Sequence, residues 1–220
     1  MTTPSRRRER PDQPALSRAG IVAVAVGVLR AEGLQRVTMR RLAQELDTGA
    51  SSLYVHVRNT AELHAAVLDE LLGEVGLKPE GSWEERLEAV LGSYTEVLLR
   101  HPGLAQSALV ARPSGRHYLE LVETLLALLA EGGVPARQAA WGVDLLLQHA
   151  TATAAEHVVE QSEEDWAALV TAVRALSPGT HPHLATSGAD LISGDPGERM
   201  AWSWRALLSG IAATPLKEQP

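Results

Sequence analysis

The 220-residue chain is expected to be all-α, and three observations point that way. Apolar residues recur at helical spacing in nearly every segment, strand-like alternation is almost absent, and good capping residues stand where the periodic runs begin. In "LSRAGIVAVAVGVLRAEG", Ile21, Val24, Ala25, Val28 and Leu29 fall on one helical face. Ser17 suits its N-cap, Leu16 and Ile21 form a hydrophobic staple, and Gly33 closes the far end. A second helix opens at Thr38, stapled by Val37 and Leu42, and runs through "MRRLAQEL". A short third covers about 49–57. Asn59 followed by Glu62 is a capping-box pattern opening a fourth, with Leu63, Val67 and Leu71 on one side.

Pro79, Gly81 and Ser82 break the chain and set the expected domain boundary. Beyond it lie "WEERLEAVLGSYTEVLLR", a short segment at "GLAQSALV", and "HYLELVETLLALLAEGG". A long helix follows Pro135, then "EEDWAALVTAVRAL", and "ERMAWSWRALLSGIAA" comes last. Residues 177–197, rich in Pro, Gly and Ser, read as a long loop. The chain thus divides into a disordered basic tail over 1–15, a head with its linking helix over 16–76, and a larger helical bundle over 82–214.

Charge is unevenly placed. Residues 1–60 carry ten Lys/Arg against five Asp/Glu, and residues 61–220 carry ten against twenty-two. These nets of +5 and −12 account for the formal −7, and a basic head on an acidic body suggests that the head meets a polyanion. There is no cysteine, which excludes disulfides and thiolate catalysis. The arginines of "MTTPSRRRERPDQP" are followed by no apolar run, and no later stretch is long enough to span a bilayer, so a cytoplasmic protein is expected.

Helices two and three, separated by "DTG", have the pattern of a helix-turn-helix. Leu42, Ala43 and Leu46 can meet Leu53 and Val57, leaving Ser51, Ser52, Tyr54 and His56 on or beside the exposed face. Serine hydroxyls can reach base edges or phosphates, and a Tyr hydroxyl suits a phosphate oxygen. His56 and Arg58 add donors, as does Arg41 of helix two, and Thr38 opens that helix where another phosphate can sit. A decorated helical hairpin with no DNA partner has the same spacing.

At these residues a family resemblance becomes specific. "VTMRRLAQELDTGASSLYVHVRNTAELHAAV" resembles the DNA-binding head of the tetracycline-repressor (TetR) family, the match covering about 17–72, with "LY-x-HV" as its signature. The resemblance implies that Thr38, Tyr54 and His56 contact phosphate, and that Arg40, Ser51 and Ser52 touch bases or nearby backbone. Three positions depart from the family pattern. Asp47 stands at a turn position usually held by Gly, and Asp tolerates the left-handed conformation better than most residues. Ala50 stands where some members of the family place a base-reading polar side chain, and Thr60 where a phosphate-binding Lys is usual.

The acidic body suits two tasks, pairing with a second copy and holding a small molecule. The helix after Pro135 and the last helix, with Trp202, Leu207, Leu208 and Ile211, are candidates for a four-helix dimer interface, as the resemblance also implies. Alternatively, those residues complete one chain's own core. Similarity to the tetracycline repressor's body implies a pocket lined by Val90, Tyr94, Thr124, Leu128 and Trp141. Leu145 and His149 continue the Trp141 face. Ala108 and Gly76 stand where the drug- and metal-holding side chains would be, so a tetracycline–magnesium sensor is not expected.

The reading is therefore a homodimeric one-component repressor that binds a palindromic operator and is released by a small molecule. It needs no cofactor, metal or membrane. Two alternatives are a helical DNA-binding protein without a ligand, and an all-helical enzyme using His149 or His157 with Asp144 or Glu156. "HPH" at 181–183 has no nearby cysteine or carboxylate pair and is not expected to hold a metal.

Overall fold

A computed structural model describes residues 16–101, 103–110, 113–158 and 163–216, so the expected tail over 1–15 lies outside the described residues. The fold is all-α, and no strand occurs among the described residues. The head comprises α1 (Arg18–Glu32), α2 (Met39–Glu45) and α3 (Ala50–Leu53), and α4 (Thr60–Leu72) links it to the body. The body comprises α5 (Trp83–Arg100), α6 (Leu104–Val110), α7 (Arg116–Glu131), α8 (Ala136–Val158), α9 (Glu163–Arg174), α10 (Pro182–Leu191) and α11 (Pro196–Ala213).

The helix starts follow local chemistry. Ser17, Thr38 and Asn59 each accept a backbone amide hydrogen bond, from Gly20, Arg41 and Glu62 respectively, which satisfies a donor the helix itself leaves unpaired. Gly33 ends α1 at φ 84°. Asp47, between α2 and α3, holds the left-handed conformation expected of it, at φ 46°. Ser82 and Glu85 form a full capping box at the start of α5, and the Ser82 amide hydrogen bond holds the Glu85 carboxyl below its usual range. That makes Ser82 a helix start as well as part of a break.

The expected loop over 177–197 is instead interrupted by α10. Its proline occupies the first helical position, where a missing N–H costs nothing, so Pro182 opens a helix rather than ending one. The expected third helix over about 49–57 is α-helical only from Ala50 to Leu53. It continues as a turn, with the Val57 amide donating to the Leu53 carbonyl at 3.0 Å.

One continuous apolar core runs from Ile21 of α1 to Ile211 of α11. Within it α4 packs on α1 on the head side and on α6 and α7 on the body side, while α8 packs against α5, α6, α7 and α11. Polar contacts reinforce the head–body junction. Asp69 Oδ1 on α4 accepts the Tyr118 amide of α7 at 3.0 Å, doing for α7 what its own N-cap Gly115 cannot. A Cβ at Gly115 would sit 2.0 Å from Asp69 Oδ2, so glycine is required by this approach. Glu74, just past α4, pairs with Arg30 of α1 at 2.8 Å and Arg100 of α5 at 3.1 Å.

The left-handed Asp47 gives a test of the α2–α3 turn. Asp47→Val is predicted to lower stability by about 1–2 kcal/mol, and Asp47→Gly to change it by less than about 0.5 kcal/mol, read from urea unfolding midpoints.

Candidate nucleic-acid interface

A four-residue helix cannot hold itself together in water, so α3 depends on its anchors. Leu53 and Val57 are both completely buried, in the same core as Leu42 and Ala43 of α2. Their burial fixes which side faces out. Ser51 and Ser52 are exposed, Tyr54 is 52% exposed with its ring standing out, and His56 is half-buried. Arg40 is exposed on α2 and, with Gln44, Thr48 and Ala50, lines a shallow depression beside the turn. Thr38 and Thr60 are exposed at the starts of α2 and α4.

Two expected contacts sit differently. Arg41 is drawn onto Glu32 and Glu45, at 2.6 Å from each, and is partly covered. Those hydrogen bonds hold the Glu32 carboxyl below its usual range and push the Arg41 guanidinium above its own. Arg58 is well exposed, but its Nε donates to Glu62 at 3.0 Å. His64 of α4 ties the head from behind, its Nε2 lying 2.9 Å from the Val37 carbonyl.

The seven residues expected to line one pocket separate into four groups. Val90 and Tyr94 are buried on α5, and Tyr94 Oη shares a 2.7 Å hydrogen bond with Thr151 of α8. Thr124 and Leu128 of α7 line a cleft with Leu77, Pro79 and Arg86, and the Arg86–Glu131 ion pair stands at its rim. Trp141 and Leu145 point outward instead, 60% and 44% exposed. The face of α8 that packs inward carries Val143, Leu146, Leu147 and Ala150, and the Trp141 register lies off it. His149 turns to α11, edge-on to Trp204, with Nε2 2.7 Å from Ser203 Oγ.

The direction of that last hydrogen bond decides its chemistry. Ser203 Oγ donates its proton to the Met200 carbonyl at 2.7 Å, so His149 must be the donor to Ser203. A histidine so placed is a clamp between helices and not a base on the hydroxyl. Asp144 accepts from Gln148, one turn along its own helix. The side chain of His157, the other histidine of that alternative, lies outside the described residues. No cluster of His, Asp and Glu able to hold a metal occurs among the described residues.

The expected dimer residues also divide. Trp202 is 66% exposed, and Leu207 is half-buried. Leu208 and Ile211 are buried against their own chain. The cause is α8: Gly142 has no side chain, so Ile211 packs directly over it, where a Cβ would come within 2.8 Å. Gln138 then donates to the Ile211 carbonyl and, at 3.2 Å, to that of Ala212.

Two sequence profiles match this arrangement. "Bacterial regulatory proteins, tetR family" covers residues 21–67, and "Tetracyclin repressor-like, C-terminal domain" covers 75–214, well over half of the chain. The chain belongs to the TetR family. It is therefore a DNA-binding transcriptional regulator and not an enzyme. A candidate transcription regulator, SCO7704 of Streptomyces coelicolor, is 57% identical with a TM-score of 0.82, the match covering 94% of this chain and all of that one. ActR of the same organism is 34% identical and has been solved with actinorhodin and with (S)-DNPA, at TM-scores of 0.80 and 0.81. Those matches cover 91% of this chain and 97% and 99% of the respective ActR chains. An HTH-type transcriptional regulator of Saccharopolyspora erythraea is 35% identical over 123 residues, 55% of this chain but only 52% of that relative.

Sequence reasoning missed Asp69, Glu74 and Ser203. Each acts on a partner 26 to 54 residues away in the chain, and a single sequence holds no local signal for such pairs.

Buried Tyr94 gives a pH test of the α5–α8 contact. Burial pushes its hydroxyl from about 10 to about 12, against the opposing effect of the Thr151 hydrogen bond. The unfolded chain releases this proton near pH 10 while the folded chain keeps it, so stability falls as pH rises from about 10 to 12. Tyr94→Phe is predicted to remove a loss of on the order of 2 kcal/mol over that window. At neutral pH the same variant should cost about 1–2 kcal/mol through the lost hydrogen bond. Urea unfolding at neutral pH and across the alkaline window reads both effects.

Proposed function

We propose that the chain is a homodimeric, cytoplasmic repressor that binds a palindromic DNA operator and releases it when a small molecule enters the body. One observation carries the DNA reading: Ser51, Ser52, Tyr54 and Arg40 stand exposed around a one-turn helix whose Leu53 and Val57 are fully buried. Such a turn can enter a major groove, with Tyr54, His56, Thr38 and Thr60 meeting phosphates and Arg40, Ser51 and Ser52 meeting base edges.

Two copies are needed to place two such turns about 34 Å apart, one helical repeat of DNA. The exposed Trp141 and Leu145 of α8 and Trp202 of α11 favour these two helices as the pairing surface, because large apolar side chains cluster where a partner covers them. No helix among the described residues is long and apolar enough to cross a membrane.

The small-molecule reading is supported by ActR, whose complexes hold actinorhodin and (S)-DNPA. The occupant here differs from tetracycline–magnesium, since Ala108 and Gly76 supply no ligating side chain. Release requires the ligand to bind better to a state whose two heads no longer match the half-site spacing. Helix α4, packed on α1, α6 and α7, is the element through which the body can set that spacing.

Titration of labelled duplexes tests the interface. Tyr54→Phe is predicted to weaken binding about equally on all sequences, and Arg40→Ala also to relax preference at one position per half-site, by about 1–3 kcal/mol. Binding identical to wild type by both variants rejects this placement of the interface.

A further inference from the structure

The basic head is largely neutralised by its own carboxylates. Glu62 of α4 pairs with Arg58 at 3.0 Å and with Arg18 of α1 at 3.8 Å, while Glu32 pairs with Arg36 at 3.2 Å and with Arg41. Among the described residues, Arg40 is the one head arginine with no carboxylate at ion-pair distance. The Glu62 pair differs from the Glu32 pair in where it lies. Arg58 sits between the recognition turn and the start of α4, with its side chain 86% exposed. Arg41 is far more covered, at 25%.

We propose that Glu62 is an electrostatic brake on the DNA face: it holds Arg58, and more weakly Arg18, away from phosphate, and so lowers sequence-independent affinity. The proposal rests on the reading that this face binds DNA. Its physics is competition for one guanidinium. A phosphate offers Arg58 the same kind of anionic oxygen that Glu62 does. The pair occupies Nε, partly cancels the charge and restrains the side chain, so each phosphate contact is weakened or must displace it. An exposed ion pair is weak enough to be displaced but strong enough to subtract from each contact. Glu62 is well held for the role. One Oε2 accepts both the Arg58 amide at 2.9 Å and the Arg58 Nε, and these two hydrogen bonds keep its carboxyl charged below the usual range.

A brake of this kind selects for specificity. Base contacts from Arg40, Ser51 and Ser52 do not draw on the caged arginines, so restraining Arg58 reduces binding to all sequences while leaving base discrimination intact.

The test is a salt titration of full-length protein on a random-sequence duplex of about 30 base pairs, long enough for non-specific contacts along both strands. It compares wild type, Glu62→Gln, Arg58→Gln, the double variant, and Glu70→Gln as a charge control elsewhere on α4. In Glu62→Gln the new side-chain carbonyl can still accept the Arg58 amide, so the turn is kept while the charge is lost. Glu62→Gln is expected to bind about 1.5- to 5-fold tighter at about 0.15 M salt, the factor set by an exposed pair. The plot of log affinity against log salt should steepen by about 0.9 for each freed arginine. In the Arg58→Gln background most of the gain should disappear, leaving the smaller share due to Arg18. An equal gain in that background, or from Glu70→Gln, would mean a general charge effect and overturn the brake. A salt slope unchanged by Glu62→Gln overturns it as well, with the DNA face left standing. A wild-type protein whose duplex binding shows no salt dependence removes the face itself, and the brake with it.

Discussion

The constraint on which the head depends is the burial of Leu53 and Val57. The recognition segment is a single helical turn, too short to be stable alone, and those two side chains supply the tertiary contact that gives it a fixed orientation. Everything proposed about DNA follows from that orientation, because Ser51, Ser52 and Tyr54 beside the anchors are left on the outer side. Asp47 and the Gly49 cap set the angle at which the turn leaves α2, and His64 braces the loop before α2 from the α4 side. The surface chemistry is thus presented by a small set of backbone and packing decisions.

The second organising element is α4. It shares apolar packing with α1 and with α6 and α7, so head and body form one core instead of two loosely tethered ones. Its polar contacts are directional. Asp69 caps α7, with His117 Nδ1 also 2.9 Å from the Asp69 carbonyl, and Glu74 spans α1 and α5. A displacement of α7 or α5 therefore acts on the same helix that carries the Glu62–Arg58 pair at its other end. This arrangement joins the proposed ligand response to the DNA face without any further moving part.

The sequence made local features legible because their causes are local. Ser17, Thr38, Asn59 and Gly33 mark helix ends through hydrogen bonds spanning three or four residues, and Asp47 could be read as left-handed from its place in the turn. The alternation of buried Leu53 and Val57 with exposed Ser51, Ser52 and Tyr54 was also legible, since one helical period decides it. The body was harder. Helical spacing places Trp141, Leu145 and His149 on one side of α8, but it does not say which neighbour that side meets. In the structure His149 clamps α11 while Trp141 and Leu145 face outward. Ile211 packs over Gly142 of its own chain, a long-range contact that helical spacing alone does not announce. Pro182 lies in a stretch whose Pro, Gly and Ser read as a loop, yet it opens α10, because a proline's effect depends on its position in the helix.

The central claim is that this head reads a palindromic site as a pair. The most direct measurement is selection of bound fragments from the source genome by the purified protein at about 0.15 M salt, followed by sequencing. The protein is first denatured and refolded to remove any ligand it carries. The account predicts a few enriched sites, each with an inverted repeat whose half-site centres lie one helical turn or a whole number of turns apart. Enrichment that tracks fragment length alone, or sites lacking a repeat, would contradict it.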